Sequence, residues 1–300
     1  MQTMPLTPDH LSLLRDLQRR TRLPERVAEY PAPADLEEAL ADAELLAHAR
    51  LWLDGDGRAV AYAWAAPWGS ITFEADPAAG PALELEALDW ACAEARRAAA
   101  ERGDNEAPAA SCRSNDVARL NLLESAGFVR LPDRTRHYAR SLERPIPEAP
   151  LPPGFRLLRS DQAAIVEEWV AMHRAAWGTE NMTVAGRQAI MAGSDYDPEL
   201  DLAVVAPDGR LAGYCVVTVA QAENALTGRC DGYTDPLSVH PDFQRRGLAA
   251  ALLAAAMHRL RQRGVQTARL TTAGDNLPMQ RAAERMGYEL ASETIWLELH

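Results

Sequence analysis

At 300 residues the chain is long for one domain, and a length of about 150 residues per domain predicts two. Its formal charge of -12 supplies no basic face for phosphate neutralisation, which argues against a nucleic-acid partner. No apolar run approaches the roughly 18 residues of a membrane span, so no membrane-inserted segment is expected.

The opening, MQTMPLTPDH, lacks a basic stretch followed by an apolar one, so no secretory signal is read. Cys92, Cys112, Cys215 and Cys230 have no paired spacing and read as reduced thiols of a cytoplasmic protein. The histidines are scattered, and no Cys/His cluster argues for a metal. All 31 basic residues are arginine, which carries no functional reading.

In chain order, DGDGRAVAYAW (54–64) reads as a turn and an alternating strand, as in a hairpin. LDWACAEARRAAAERG (88–103) reads as a helix ending at a glycine cap. SNDVARLNLLESAGFVR (114–130) adds a short helix and a Gly-aromatic step. Residues 141–154 hold five prolines in fourteen positions and predict a semi-rigid linker. The same plan then repeats: Gly103 returns as Gly264 and Asn115 as Asn276, both 161 residues on, and Gly127 as Gly287, 160 on. A constant offset across separate landmarks indicates duplication. The expected second-half elements are strands at 202–206, 211–221, 230–239, 267–272 and 288–299, with helices at 247–263 and 276–286. Strand pairs joined by helices predict an α/β layer fold.

Between the strand at 230–239 and the helix at 247–263 lies HPDFQRRGLA. Leu248, Leu252, Ala255, Ala256 and Leu260 share one helical face, so the helix packs on a sheet. A helix start presents unpaired N–H groups and a positive dipole end; Gly247 and Ala249 allow close approach, and Arg245 and Arg246 add charge. That combination fits a pyrophosphate.

Gln244-x-x-Gly247-x-Ala249 after LSVHP resembles the Q/R-x-x-G-x-G/A signature of the GNAT superfamily of acyl-CoA-dependent N-acyltransferases, and the likeness extends over most of 155–290. The resemblance implies two tandem GNAT folds, each a mixed, mostly antiparallel sheet flanked by helices. The expected domains are a degenerate one at 1–140, the linker 141–154, and an acetyl-CoA-binding one at 155–300. It also implies that the backbone of Leu237, Ser238 and Val239 pairs with the pantetheine arm. Gln244, Arg245, Arg246, Gly247, Leu248 and Ala249 would hold the pyrophosphate. Asn276 would contact the cofactor, or equally cap the helix that follows it. In the first half the corresponding loop keeps Gly80 but carries Glu74, Asp76, Glu84 and Glu86, which would repel a pyrophosphate.

Transfer to an amine needs a neutral nucleophile, and neutralising a lysine-like ammonium at pH 7 costs about 4.6 kcal/mol. Asp235 is the expected base, weighed evenly against a local turn role; Tyr233, Glu223 and Asp231 are weaker candidates. The backbone N–H of Val239 is the expected oxyanion donor. Seven residues beyond Asn276, where relatives place an acidic tyrosine, stands Ala283. Tyr288 would replace it only if its hydroxyl reached the thioester; otherwise it is core. Helices within 161–193 and the last strand should wall the acceptor pocket, with Trp169, Met172, Trp177, Tyr196 and Trp296 as lining. The expected function is N-acetyl transfer from acetyl-CoA, without a metal, to a small-molecule or peptide amine by a monomer or homodimer; the alternative is a non-catalytic acyl-CoA-binding or sensing protein.

Overall fold

The computed structural model describes all residues except 23–25, 27, 28, 34, 68, 160–164 and 193–195. It divides into two compact units, 1–134 with 225–228 and 293–300, and 135–224 with 229–292.

In the first unit, β1 (Gln2–Pro5) is followed by α1 (Leu11–Thr21), α2 (Asp35–Ala41) and α3 (Ala43–Leu46), then β2 (Ala49–Leu53), β3 (Ala59–Ala65) and β4 (Ile71–Ala75). After these come α4 (Pro81–Arg102), β5 (Ala109–Arg113), α5 (Val117–Ser125) and the start of β6 (Phe128–Ser141). β1 to β4 pair in order, all antiparallel. β3, AVAYAWA, is buried along its whole length because both faces of the sheet are covered. Ala61, Ala63 and Ala65 meet α4, while Tyr62 and Trp64 fill the space under α1 and α2. Small residues thus lie where the long helix comes close, and large ones where short helices leave room.

In the second unit, β7 (Arg156–Arg159), α6 (Val166–Trp177), α7 (Val184–Ala192), β8 (Asp201–Val205) and β9 (Leu211–Val216) are followed by β10 (Thr218–Val219) and α8 (Gln221–Thr227). Then come β11 (Asp231–Tyr233), β12 (Leu237–Val239), α9 (Leu248–Gln262), β13 (Thr267–Ala273), α10 (Leu277–Arg285) and β14 (Glu289–Leu299). One sheet runs β12-β9-β8-β7, all antiparallel. Leu202, Val204 and Ala212 pack under Leu248, Leu252 and Ala256 of α9. On the other face Ala203, Val205 and Tyr214 meet Trp169, Val170 and Met172 of α6. Each fully buried leucine contributes about 1.5–3 kcal/mol.

The units are not the two sequence halves. Residues 135–141 of β6, the last strand of the first half, pair with β13 inside the second unit. Residues 294–298 of β14, the last strand of the second half, pair with β5 inside the first. Each half thus completes its sheet with the other's final strand. Alternation in a strand sets which side chains face the core, but a main-chain ladder accepts any extended partner. The proline-rich segment, without helix or strand from 142 to 154, lays Ile146, Ala149 and Leu151 on the second unit's core.

The expected strand 230–239 is two strands in two sheets. β11 runs parallel to β13, whereas β12 turns away to lie antiparallel to β9. The expected strand 211–221 is likewise divided, into β9 and the short β10 that pairs with β11, and its last residue opens α8.

Candidate acyl-CoA site

The parting of β12 from β13 forms the candidate site. Val216 N–H bonds to the Pro236 carbonyl and His240 N–H to the Ala212 carbonyl, so even-numbered residues of this segment turn their backbone to β9. Leu237 and Val239 therefore turn their N–H and C=O groups to the open edge, while Ser238 directs its own to Tyr214. Gly213 allows this approach: a Cβ there would stand 2.8 Å from the Ser238 carbonyl oxygen. A lone glycine in an apolar strand was the available sequence signal.

Beyond β12, residues 241–243 form a single 3-10 turn anchored by buried Phe243. The His240 ring accepts the Asp242 N–H and lies against Phe243, 5.8 Å between centroids. Gln244 Nε2 donates to the Val239 carbonyl at 3.3 Å. Arg245 has φ 61°, the one positive value outside glycine among the described residues. Such a residue carries about 1–2 kcal/mol of strain. Its side chain is exposed and forms no ion pair among the described residues. Arg246 bonds to the Asp242 carbonyl.

Gly247, at φ 85°, is the N-cap of α9 and offers no side-chain cap. The first helical bond runs from Ala251 N–H to the Gly247 carbonyl, so the N–H groups of Leu248, Ala249 and Ala250 come before it. Those amides, the dipole and two arginines suit a pyrophosphate. α4 differs at the same place: Pro81 occupies its first turn and removes a donor. The acidic residues expected to repel an anion there are engaged elsewhere. Glu74 is buried on β4 against Arg22, Asp76 caps a turn and pairs with Arg20, Glu84 lies near Arg119, and Glu86 accepts from Trp52.

Asp235 lies where the strands part. Its Oδ2 accepts the Thr271 N–H at 3.3 Å, and its Oδ1 is buried without a partner. Burial pushes this carboxyl up to about 7, against the pull of backbone N–H groups of Thr271 and Thr234. The weaker base candidates are all engaged: Tyr233 donates to Glu223 at 2.9 Å, and Asp231 pairs with Arg269 and Arg229. Tyr288 is core, its hydroxyl 2.8 Å from Thr234 Oγ1, and burial pushes its phenol up. Ala283 is fully buried. Asn276 Oδ1 caps α10 by accepting the Met279 N–H.

Of the expected acceptor lining, 161–164 and 193 fall outside the described residues. Trp169 and Met172 are buried in the α6 core, Trp177 is 54% exposed, and Tyr196 donates to Asp201. Trp296 is opposite Ser111 in the other unit. The sequence reading missed His173 and Tyr214, whose ring nitrogen and hydroxyl meet at 2.8 Å beside Ser238. It also missed the fully buried Arg187–Asp201 pair. Nothing in the sequence brings positions so far apart together.

Residues 163–288 match the acetyltransferase (GNAT) family. The likeness lies within the second half of the chain. Its curated relatives include mycothiol acetyltransferases of Arthrobacter sp. (strain FB24), 27% identical over 58% of this chain and 54% of the relative, and of Clavibacter michiganensis subsp. michiganensis, 34% identical over 44% and 41%. The chain spans about half the length of the curated relatives it matches. Among solved structures, a GCN5-related N-acetyltransferase from Sphaerobacter thermophilus has a TM-score of 0.73 at 19% identity, over 99% of this chain and 94% of that one. A tandem GNAT protein from the clavulanic acid biosynthesis pathway has a TM-score of 0.72 at 17% identity, over 99% and 97%. The tandem GNAT fold therefore covers the whole chain. No helix among the described residues is long and apolar enough to cross a membrane.

Proposed function

We propose that the GNAT domain binds acetyl-CoA and transfers its acetyl group directly to an amine. One observation carries this reading: an open strand edge at Leu237–Val239 leads, through an arginine loop, into the uncapped N-terminus of α9. The edge amides offer a ladder for an extended amide-bearing arm, and the helix start offers amides and positive charge for a pyrophosphate. Gln244 braces the loop against β12, and the open space around Gly247 admits a bulky anion. Asn276, with its oxygen engaged in capping, retains its amide N–H groups for the cofactor.

At the reacting centre, the Val239 N–H donates to the thioester oxygen as negative charge grows on it. Asp235, poised near neutrality by burial, takes a proton from the amine. Tyr288 and Ala283 supply no acid, so the thiol leaves as thiolate, a good leaving group with a pKa near that of cysteine, about 8.5. No covalent enzyme intermediate is required. A small-molecule amine is the proposed acceptor, in keeping with relatives named for mycothiol.

Isothermal titration with acetyl-CoA tests the reading. One site per chain supports it; two sites would assign a cofactor to α4 as well, and no binding would remove the proposal. A non-catalytic acyl-CoA sensor is the second reading, favoured by the closed Ala283 and Tyr288 positions. It predicts binding without transfer to any amine.

A further inference from the structure

Three residues on three neighbouring chain segments of the second unit form one row at the place where β11 and β13 stop pairing. The parallel register of these strands sets Tyr233 opposite Arg269, so Asp235, two residues on, stands level with Thr271. The Thr271 N–H donates to Asp235 Oδ2 at 3.3 Å. The antiparallel register of β13 and β6 sets Thr271 opposite His137. Their side chains meet, Thr271 Oγ1 to His137 Nδ1 at 3.4 Å. Thr271 therefore touches Asp235 through its main chain and His137 through its hydroxyl.

Ala268 and Leu270 of β13 and Tyr138 of β6 belong to the core under α9. By alternation Thr271 and His137 face the other way, and both are half-buried. The neighbouring row on that face is engaged: Arg269 Nε donates to Asp231 at 2.7 Å, and the Tyr233 hydroxyl to Glu223 at 2.9 Å. Thr271 differs. A hydroxyl has one proton and two acceptor sites, and the His137 contact uses one of the three, whichever way the proton points. Thr271 Oγ1 has no second partner among the described residues, so at least one acceptor site is left over beside Asp235.

We propose that Thr271 selects the acceptor: the amine lies at Asp235, and a hydroxyl of the same molecule donates to Thr271 Oγ1, which His137 holds in place. The inference rests on the acetyl-transfer reading above, which supplies Asp235 as the base. The carboxylate suits the amine, and the neutral Thr271 oxygen suits a neutral donor. The preferred acceptors are amino alcohols whose nitrogen and hydroxyl stand about one strand spacing apart, roughly 4.8 Å. An alkylamine of the same length leaves the Thr271 acceptor site unpaired, which is how a site built for a hydroxyl rejects the analogue without one. His137 is a positioning residue, since it touches Thr271 and not the acceptor. It comes from the first half of the sequence, so the exchanged strand β6 brings to this site a residue that the second half does not encode.

The test compares 3-amino-1-propanol with butylamine, which match in length and charge and differ in a hydroxyl against a methyl. Binding of each to the full chain saturated with coenzyme A, followed by NMR, needs no turnover. The wild type should hold the amino alcohol about 10-fold more tightly and show the same preference in kcat/KM for acetyl transfer. Thr271→Val keeps the N–H that meets Asp235 and removes only the hydroxyl, so it should bring the two amines within about 2-fold of each other. Thr271→Ser should keep the preference, and His137→Phe should lower it to about 3-fold. Ser141→Ala, two rows away on the same face, should leave it at about 10-fold. No preference in the wild type, no measurable binding of the amino alcohol, or a preference that survives in Thr271→Val overturns the inference. If acetyl-CoA binds but neither amine is acetylated, the binding comparison alone decides. If neither acetyl-CoA nor coenzyme A binds, the parent reading falls, and the same comparison on the unliganded chain still decides this one.

Discussion

Asp235 and Thr271 are joined by a side-chain hydrogen bond at the point where two strands stop pairing. The parallel ladder of β11 and β13 ends with the Thr234 N–H on the Arg269 carbonyl. The next donor on that edge of β13, Thr271 N–H, goes 3.3 Å to the Asp235 carboxylate instead. The carboxylate closes the ladder, and the cleft opens beyond it.

From this position Asp235→Asn should lower kcat about 100-fold while leaving acetyl-CoA affinity within about 2-fold, because the amide keeps an acceptor for Thr271 and loses only the base. Calorimetry and steady-state kinetics on one preparation check both halves. Undiminished turnover would remove Asp235 from the mechanism.

The same carboxyl makes a stability prediction. Its pKa is raised from 3.8 to about 7, so the native state holds its proton more tightly than the unfolded chain does. Its contribution is fully present below pH 4 and is lost as pH rises through 7, up to about 4 kcal/mol. Asn carries no such loss. The melting temperature of Asp235→Asn relative to wild type should therefore be more favourable at pH 8 than at pH 5, and a constant difference would contradict the burial of this group.

Glu74 has the opposite sign. Burial raises its pKa, but Arg22, bonded at 2.6 Å, together with Thr21 and Tyr62, outweighs that and holds it down at about 2. The resulting stability is present above pH 4.5 and lost as pH falls toward 2. Glu74→Gln leaves Arg22 buried and uncompensated and should cost about 3–5 kcal/mol at pH 7. The difference from wild type should shrink in acid. Urea titrations at pH 7 and pH 3 measure both.

The glycine at the start of α9, the long helices and the duplication were legible in the sequence because each is local or periodic: a glycine at a helix start, an apolar stripe, a fixed offset. The break between Tyr233 and Leu237 was not, since GYTDPLSV reads as one strand by alternation and only tertiary pairing divides it between two sheets. The exchange of β6 and β14 escaped for the same reason. Glu74 looked like loop charge at the anion site, but it lies on β4 with Arg22, a partner 52 residues distant. His173 and Tyr214, 41 residues apart, have no shared pattern to connect them. Ala283 carries no titratable group, and it is fully buried.

Gly213 and Gly247 make separable demands on the same site. A Cβ at Gly213 would meet the Ser238 carbonyl at 2.8 Å, a backbone atom that cannot swing aside, so Gly213→Ala must displace β12 or β9. A Cβ at Gly247 meets nothing within 4 Å, but the residue sits at φ 85°, so a substitution is strained without a clash. Gly247→Ala should therefore cost about 1–2 kcal/mol of stability and weaken acetyl-CoA modestly. Gly247→Glu adds a negative charge at the amides proposed to hold the pyrophosphate and should abolish detectable binding, with stability close to that of Gly247→Ala. Gly213→Ala should weaken binding by moving the strand edge, with the loop charge unchanged, so raising the salt concentration should leave its defect relative to wild type unaltered. Titration of the three variants with acetyl-CoA at low and high salt distinguishes the two causes. Retained binding in Gly247→Glu would overturn the assignment of the loop.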